Sequence, residues 1–166
     1  MRNNRKYWFV IFSLITLMLT PLVACGQPGY TTYTNKEKGY SIRYPLNWQV
    51  EVTEDSTICV IKSPSRFASV RIDVIDAMPA QQAAQRWILA MGTAWAEFAV
   101  LENKPMGDFW DWYISYDYEA ETGIFHGEAY FKQTTAHVYK LDTAGDVAGY
   151  KNYPFSAIIS SFKLNQ

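Results

Sequence analysis

Two cysteines and two histidines in 166 residues leave little material for metal or nucleophile chemistry. The chain has no Cys-x-x-Cys pair, no His-Glu-x-x-His, no Gly-rich phosphate loop and no Gly-x-Ser-x-Gly elbow; Gly39-Tyr40-Ser41-Ile42-Arg43 lacks the closing glycine of the last. The common signatures of zinc, nucleotide and serine-hydrolase chemistry are therefore missing. Long runs of one charge and low-complexity tracts are missing too. With 49% of residues apolar and 16% aromatic, the composition is that of a packed fold rather than a disordered chain. A basic stripe is also lacking. Three of the 15 Lys and Arg (Arg2, Arg5, Lys6) precede Tyr7, so from Cys25 onward 12 face 16 Asp and Glu, a net charge of −4. Nucleic-acid binding draws most of its affinity from phosphate neutralisation, and this balance excludes it as an expectation.

What is present divides at Cys25. Arg2, Arg5 and Lys6 form a positive n-region, and Tyr7 to Leu19 is an apolar h-region of the length of a secretory signal. The next residues, Leu22-Val23-Ala24-Cys25, resemble the bacterial lipobox, with small Ala24 at the cleavage position. The resemblance implies that residues 1–24 are removed and that Cys25 carries a diacylglyceryl group, often joined by palmitate. Lipidation holds a chain on a membrane because each buried methylene contributes about 0.8 kcal/mol. The alternative is an uncleaved anchor helix from Tyr7 to Val23, barely long enough to span and interrupted near its end by Pro21. Both readings put the domain outside the cytoplasm, on the cell surface or facing the periplasm. Gly26, rather than Asp, after the cysteine is similar to lipoproteins passed to an outer membrane. Residues 25–32 are expected to be the lipidated cysteine and a flexible tether of at most about 25 Å, followed by one globular domain over 33–166. Cys59, in the β-branched run Thr57-Ile58-Cys59-Val60-Ile61, reads as a buried strand residue without a disulfide partner.

Alternation predicts strands over Gly39–Tyr44, Trp48–Val52, around Cys59, and over Ala68–Asp76. Pro79 suits a helix first turn. Ala80, Ala83, Ala84, Trp87, Met91, Ala94, Trp95 and Phe98 then recur at three-and-four spacing, predicting an amphipathic helix on a sheet. A brief strand at Ala99–Leu101 precedes a hairpin, Phe109–Ala120 against Ile124–Gln133, with a turn at Thr122-Gly123. Its expected pairs are Glu119 with His126, Asp117 with Glu128, Ser115 with Tyr130 and Tyr113 with Lys132 on the solvent side, and Ile114 with Phe131 on the core side, where Tyr118 covers Gly127. Trp110, Trp112, Ile114, Tyr116 and Tyr118 share the core parity. His137–Leu141 adds a strand, Asp142–Asn152 a loop, and Pro154 opens a closing helix with Phe155, Ile158, Ile159 and Phe162 inward.

Gly39-Tyr40-Ser41-Ile42-Arg43-Tyr44-Pro45-Leu46-Asn47-Trp48 at the start of the sheet and Ser160-Ser161-Phe162-Lys163 at the end are similar to PsbP-like domains. The resemblance, to the bacterial lipoprotein branch, covers nearly all of Tyr33–Leu164. It implies an α/β/α sandwich with a largely antiparallel sheet, a long central helix and a C-terminal helix. It implies non-enzymatic assistance, a binding or assembly role with an envelope protein partner, no cofactor and no catalytic residue. Its motifs specify packing: Tyr40 enters the strand, Pro45 turns it, Trp48 fills the core and Phe162 seals the last helix.

One constellation points to chemistry of its own. The expected register gathers Asp117, Glu119, His126 and Glu128 on one face, where carboxylates and an imidazole suit a divalent cation such as manganese or calcium, or an acidic docking patch. Polar residues on a solvated strand face explain the same pattern. Tyr113 and Tyr130 on that face suit stacking against a cell-wall glycan, or plain cross-strand packing. An enzymatic reading makes Asp117 and Glu128 the acid and base of an envelope hydrolase, which requires a cleft enclosing both.

Overall fold

The computed structural model describes residues 29–165. The expected signal peptide, Cys25 and the start of the tether lie outside the described residues. Ten strands and two helices follow in the order β1 Tyr30–Asn35, β2 Tyr40–Pro45, β3 Gln49–Val52, β4 Ile58–Lys62, β5 Ala68–Asp76, α1 Ala80–Ala94, β6 Phe98–Pro105, β7 Trp112–Ala120, β8 Gly123–Gln133, β9 His137–Asp146, a 3-10 turn Tyr150–Asn152, α2 Phe155–Ser160 and β10 Lys163–Leu164. β3-β4-β5-β9-β8-β7-β6 form one seven-stranded sheet, and β1-β2-β10 a smaller one; every pairing is antiparallel. The expected mixed α/β architecture is the one observed.

The large sheet has a core on each face. On one, α1 lays Ala80, Ala83 and Ala84 over Ile114, Tyr116, Ala129, Phe131 and Val138. Alanine at these positions lets the helix approach closely, and half-buried Trp87 fills the space beyond them, meeting Tyr116 edge-on at 4.9 Å. The helix starts where its periodicity starts because Pro79 cannot donate and the Ala80 amide is satisfied from afar by Gln133 Oε1 at 3.0 Å. It ends at Ala94, earlier than the apolar spacing extends: Trp95 is already extended, and Phe98 reaches the Trp87 ring from β6. On the opposite face the small sheet and α2 bury Tyr40, Ile42, Phe155, Ile158 and Phe162 against Ile61, Val70, Ile72 and Leu141, with Trp48 and Cys59 in the same core. Cys59 is a buried free thiol, and burial pushes its pKa up to about 11.

Several expectations are corrected. Tyr30–Thr32 are not tether but the first half of β1, paired with Arg43–Pro45. Ala99–Leu101 belong to an eight-residue edge strand, whose bulge between Val100 and Glu102 and terminal Pro105 break up an otherwise open edge. β9 runs through Asp146, so the first half of the expected loop is strand, and β10 adds a rung to β2 that no alternation announces.

The hairpin is displaced by two residues. The turn is Glu121-Thr122, with Gly123 opening β8 at φ +131°, and the pairs are Asp117 with His126, Ser115 with Glu128, Tyr113 with Tyr130, Ile114 with Ala129 and Tyr116 with Gly127. A two-residue shift keeps each side chain of the paired strands, Trp112–Ala120 and Gly123–Phe131, on its predicted face and changes only its neighbours. Tyr116, not Tyr118, therefore covers Gly127.

Beneath α1 the sheet holds an ion network. Lys140, 3% exposed, sets its Nζ 2.8 Å from Asp73 Oδ2 and 3.5 Å from Asp142 Oδ2, and over the Trp87 ring at 5.2 Å. Arg71 Nε donates to Asp73 at 2.8 Å, and the Tyr116 hydroxyl donates to Asp142 Oδ1 at 2.7 Å. Every member thus has a partner, as burial of charge requires.

Candidate functional site

The expected solvent face of the hairpin is largely covered. Ser115 is 6% exposed, and Glu128, Tyr130 and Tyr113 are half-buried. The cover comes from the chain after β9. There the Asp146 carboxylate accepts the Gly149 amide at 2.8 Å and the Tyr153 hydroxyl, folding the loop back so that Tyr150 reaches Thr143 Oγ1 at 2.8 Å. Pro154 then admits α2, which sets Phe155 against Tyr150 at 4.9 Å between ring centres.

The four residues expected to share a metal or docking site separate into three environments. Asp117 Oδ1 lies 2.7 Å from His126 Nδ1, and the His126 ring meets Tyr150 edge-on at 4.5 Å. Glu119 stands exposed opposite Ile124. Glu128 accepts the Tyr113 hydroxyl on Oε1 at 3.0 Å and the Tyr130 hydroxyl on Oε2 at 2.9 Å. Among the described residues no three His, Cys, Asp or Glu side chains gather in a metal-holding group. The displaced register is the reason: it sets Glu128 across from Ser115, beside two tyrosines, and leaves the Asp117–His126 pair one step along the sheet.

Tyr113 and Tyr130 face each other directly, rings 5.1 Å apart. They do not form an open stacking platform. Tyr130 packs on Trp110 at 5.5 Å, and together with Glu128 it lines a cleft of about 810 Å³ that runs between the sheet and α2. Its walls are aromatic: Phe109 and Trp110 from the segment before β7, Tyr150 from the 3-10 turn and Tyr153 just after it, and Phe162 just after α2. Lys151 and Asp108 also border it.

Trp110 is a correction. It is buried as its parity predicts, but not beside Ile114 and Tyr116: β7 begins only at Trp112, and the preceding bend sends Trp110 through to the other core, 5.2 Å from Phe162. Of the hydrolase pair, the cleft encloses Glu128 and not Asp117.

The phenols of the site are held as O–H donors. Burial, then the Glu128 charge, pushes the Tyr113 pKa up to about 12, and the same two causes raise Tyr130. Tyr150 is raised chiefly by burial. The cleft is therefore an aromatic enclosure with one carboxylate clamped in place by two hydroxyls. Sequence reasoning found Glu128, Tyr113 and Tyr130 but missed Phe109, Trp110, Tyr150, Tyr153 and Phe162 as one wall. The available signal was the aromatic spacing Tyr150, Tyr153, Phe155 in the stretch expected to be loop and helix start.

No family model matches the chain, and no curated protein matches it. Solved structures do. The cyanobacterial PsbP of Synechocystis sp. PCC 6803 superposes with a TM-score of 0.66 at 15% identity, covering 87% of this chain and 99% of that one. The Ran-binding protein Mog1p of Saccharomyces cerevisiae gives 0.57 at 9% identity over 82% and 95%. LpqN of Mycobacterium tuberculosis, described as involved in cell envelope biogenesis, gives 0.56 at 9% identity over 83% and 91%. On the strength of these superpositions the chain has the PsbP-like fold, the architecture that its two ends imply.

Proposed function

We propose that this chain is a lipid-anchored, extracytoplasmic accessory protein that binds a partner molecule in the aromatic cleft and performs no catalysis. The observation that carries the reading is the cleft itself: about 810 Å³, largely aromatic, with a single oriented carboxylate, the form of a ligand pocket rather than of a residual packing gap. The lipobox-like Leu22-Val23-Ala24-Cys25 supports membrane attachment, with Cys25 as the lipidated residue. The fold shared with LpqN supports a role in the cell envelope. Hydrolysis by the expected acid and base would need Asp117 and Glu128 in one enclosure; the cleft takes in Glu128, already engaged by two phenols, and Asp108 at its border, but not Asp117.

The test places a photo-crosslinking amino acid on the cleft wall in place of Ser156, or on the far face of α1 in place of Leu89, in the full chain in its host membrane. A discrete adduct from position 156, absent from position 89 and lost with the membrane fraction in Cys25→Ala, is the expected result. Equal labelling from the two positions would remove the cleft from the reading, and an unchanged membrane fraction in Cys25→Ala would remove the anchor.

A further inference from the structure

We infer that the cleft takes an organic cation, an alkylammonium or amine-bearing group, whose charge sits against Glu128 and whose apolar part lies on the rings of Trp110, Tyr130 and Tyr150. The inference rests on the reading of the cleft as a binding site and adds the chemical class of its occupant.

Three observations carry it. First, Glu128 has hydrogen bonds but no counter-ion. Both oxygens accept phenol hydroxyls, at 3.0 and 2.9 Å, and none of the ion pairs among the described residues includes it. A phenol donates a hydrogen bond and leaves the carboxylate's charge in place. Each oxygen keeps a further acceptor position, so the clamp orients the charge without using it up.

Second, the two lysines on the strands flanking the site, Lys132 and Lys104, are committed elsewhere. Lys132 pairs with Asp111 at 3.1 Å, and Lys104 with Glu102. Both also rest over aromatic rings, Lys132 over Phe109 at 5.5 Å and Lys104 over Tyr113 at 5.4 Å. Ring faces at the margin of the site therefore already hold cations. Trp110, Tyr130 and Tyr150, further in, carry no such contact among the described residues.

Third, Lys151, the lysine that borders the cleft, is exposed on the 3-10 turn and makes no ion pair among the described residues. A half-buried carboxylate beside the negative faces of several rings attracts positive charge from both sources at once, and the same pair of features disfavours phosphate and carboxylate ligands.

The experiment compares choline with 3,3-dimethyl-1-butanol, which replaces the quaternary nitrogen by carbon at constant shape. Binding of both to the full chain in uncharged-lipid nanodiscs is measured by ligand-observed saturation-transfer NMR and calorimetry. Choline is expected to bind about tenfold more tightly than its isostere, the range of a desolvated cation–ring contact reinforced by a carboxylate. Glu128→Gln is expected to remove most of that difference with the melting temperature as a folding check, while Lys151→Ala leaves choline binding equal or tighter. Equal affinities for the two probes overturn the cation and leave the cleft a binding site. No binding of choline overturns the inference as well, whatever the crosslinking result at position 156. Because the probe comparison is made on the unaltered chain, the inference stays falsifiable if Glu128→Gln does not fold.

Discussion

A methyl group at Gly127 would sit 2.2 Å from Cζ of Tyr116 and 2.7 Å from the carbonyl oxygen of Thr143, so the ring and backbone leave no room for a side chain there. Gly127→Ala is expected to destabilise the domain by about 3 kcal/mol, the upper range for overpacking, read as a lower urea midpoint at unchanged m-value. The need for a small residue beneath a tyrosine was legible from the strand alternation; which tyrosine was not, because a two-residue displacement leaves the pattern intact. Asp142 makes a second prediction. Burial raises its pKa above the ordinary 3.8, with Lys140 and the Tyr116 hydroxyl opposing. The folded state thus holds this proton more tightly than the unfolded chain. Its stabilising contribution is complete below pH 3.8 and is lost as the pH rises through the folded value. Asp142→Asn cannot lose a proton, so its unfolding free energy, measured in urea from pH 4 to 8, is expected to fall less with rising pH than that of the parent. Parallel curves would remove the titration of Asp142 from the account. Nothing in the sequence marked Lys140 and Asp142 as partners of Asp73, since strand pairing between β5 and β9 brings them together across more than sixty residues.

At the scale of elements, periodicity identified what it physically encodes and missed what it does not. α1 and α2 bury one stripe each, so their apolar spacing survives in the sequence; β5 buries Val70, Ile72 and Val74 on one side and was equally plain. β9 is enclosed on both faces, with Val138, Tyr139, Lys140 and Leu141 all buried, and its alternation is therefore erased. β10 is too short to have a pattern. Its importance is in hydrogen bonding: Lys163 and Leu164 pair with Ser41 and Tyr40, and the Asn165 amide donates to the Gly39 carbonyl at 2.8 Å. Removing residues 163–166 is expected to expose the β2 edge and to lower stability by about 1–3 kcal/mol, at about 1 kcal/mol for each lost hydrogen bond. Hydrogen exchange should show the loss concentrated at residues 39–43. Uniform loss of protection across the large sheet would contradict a local role for β10.

For the whole molecule, the order of the elements from β2 to α2 was readable because most of them are announced locally, whereas β1 and β10 were not. The cleft was not readable in the same way, since its walls come from the bend before β7, the inner strand β8, and the 3-10 turn with α2 and Phe162 after it, segments joined only by the fold. The early start of β1 has a consequence for how such a protein meets anything at all. Five peptide steps separate Cys25 from Tyr30, so a lipidated Cys25 would lie within about 18 Å of the first rung of the small sheet. On so short a leash a lipidated domain would patrol a thin layer above the bilayer instead of a volume. Encounters would then be a two-dimensional search in which a partner in the same leaflet is met at high effective concentration, and affinity for it need not be great.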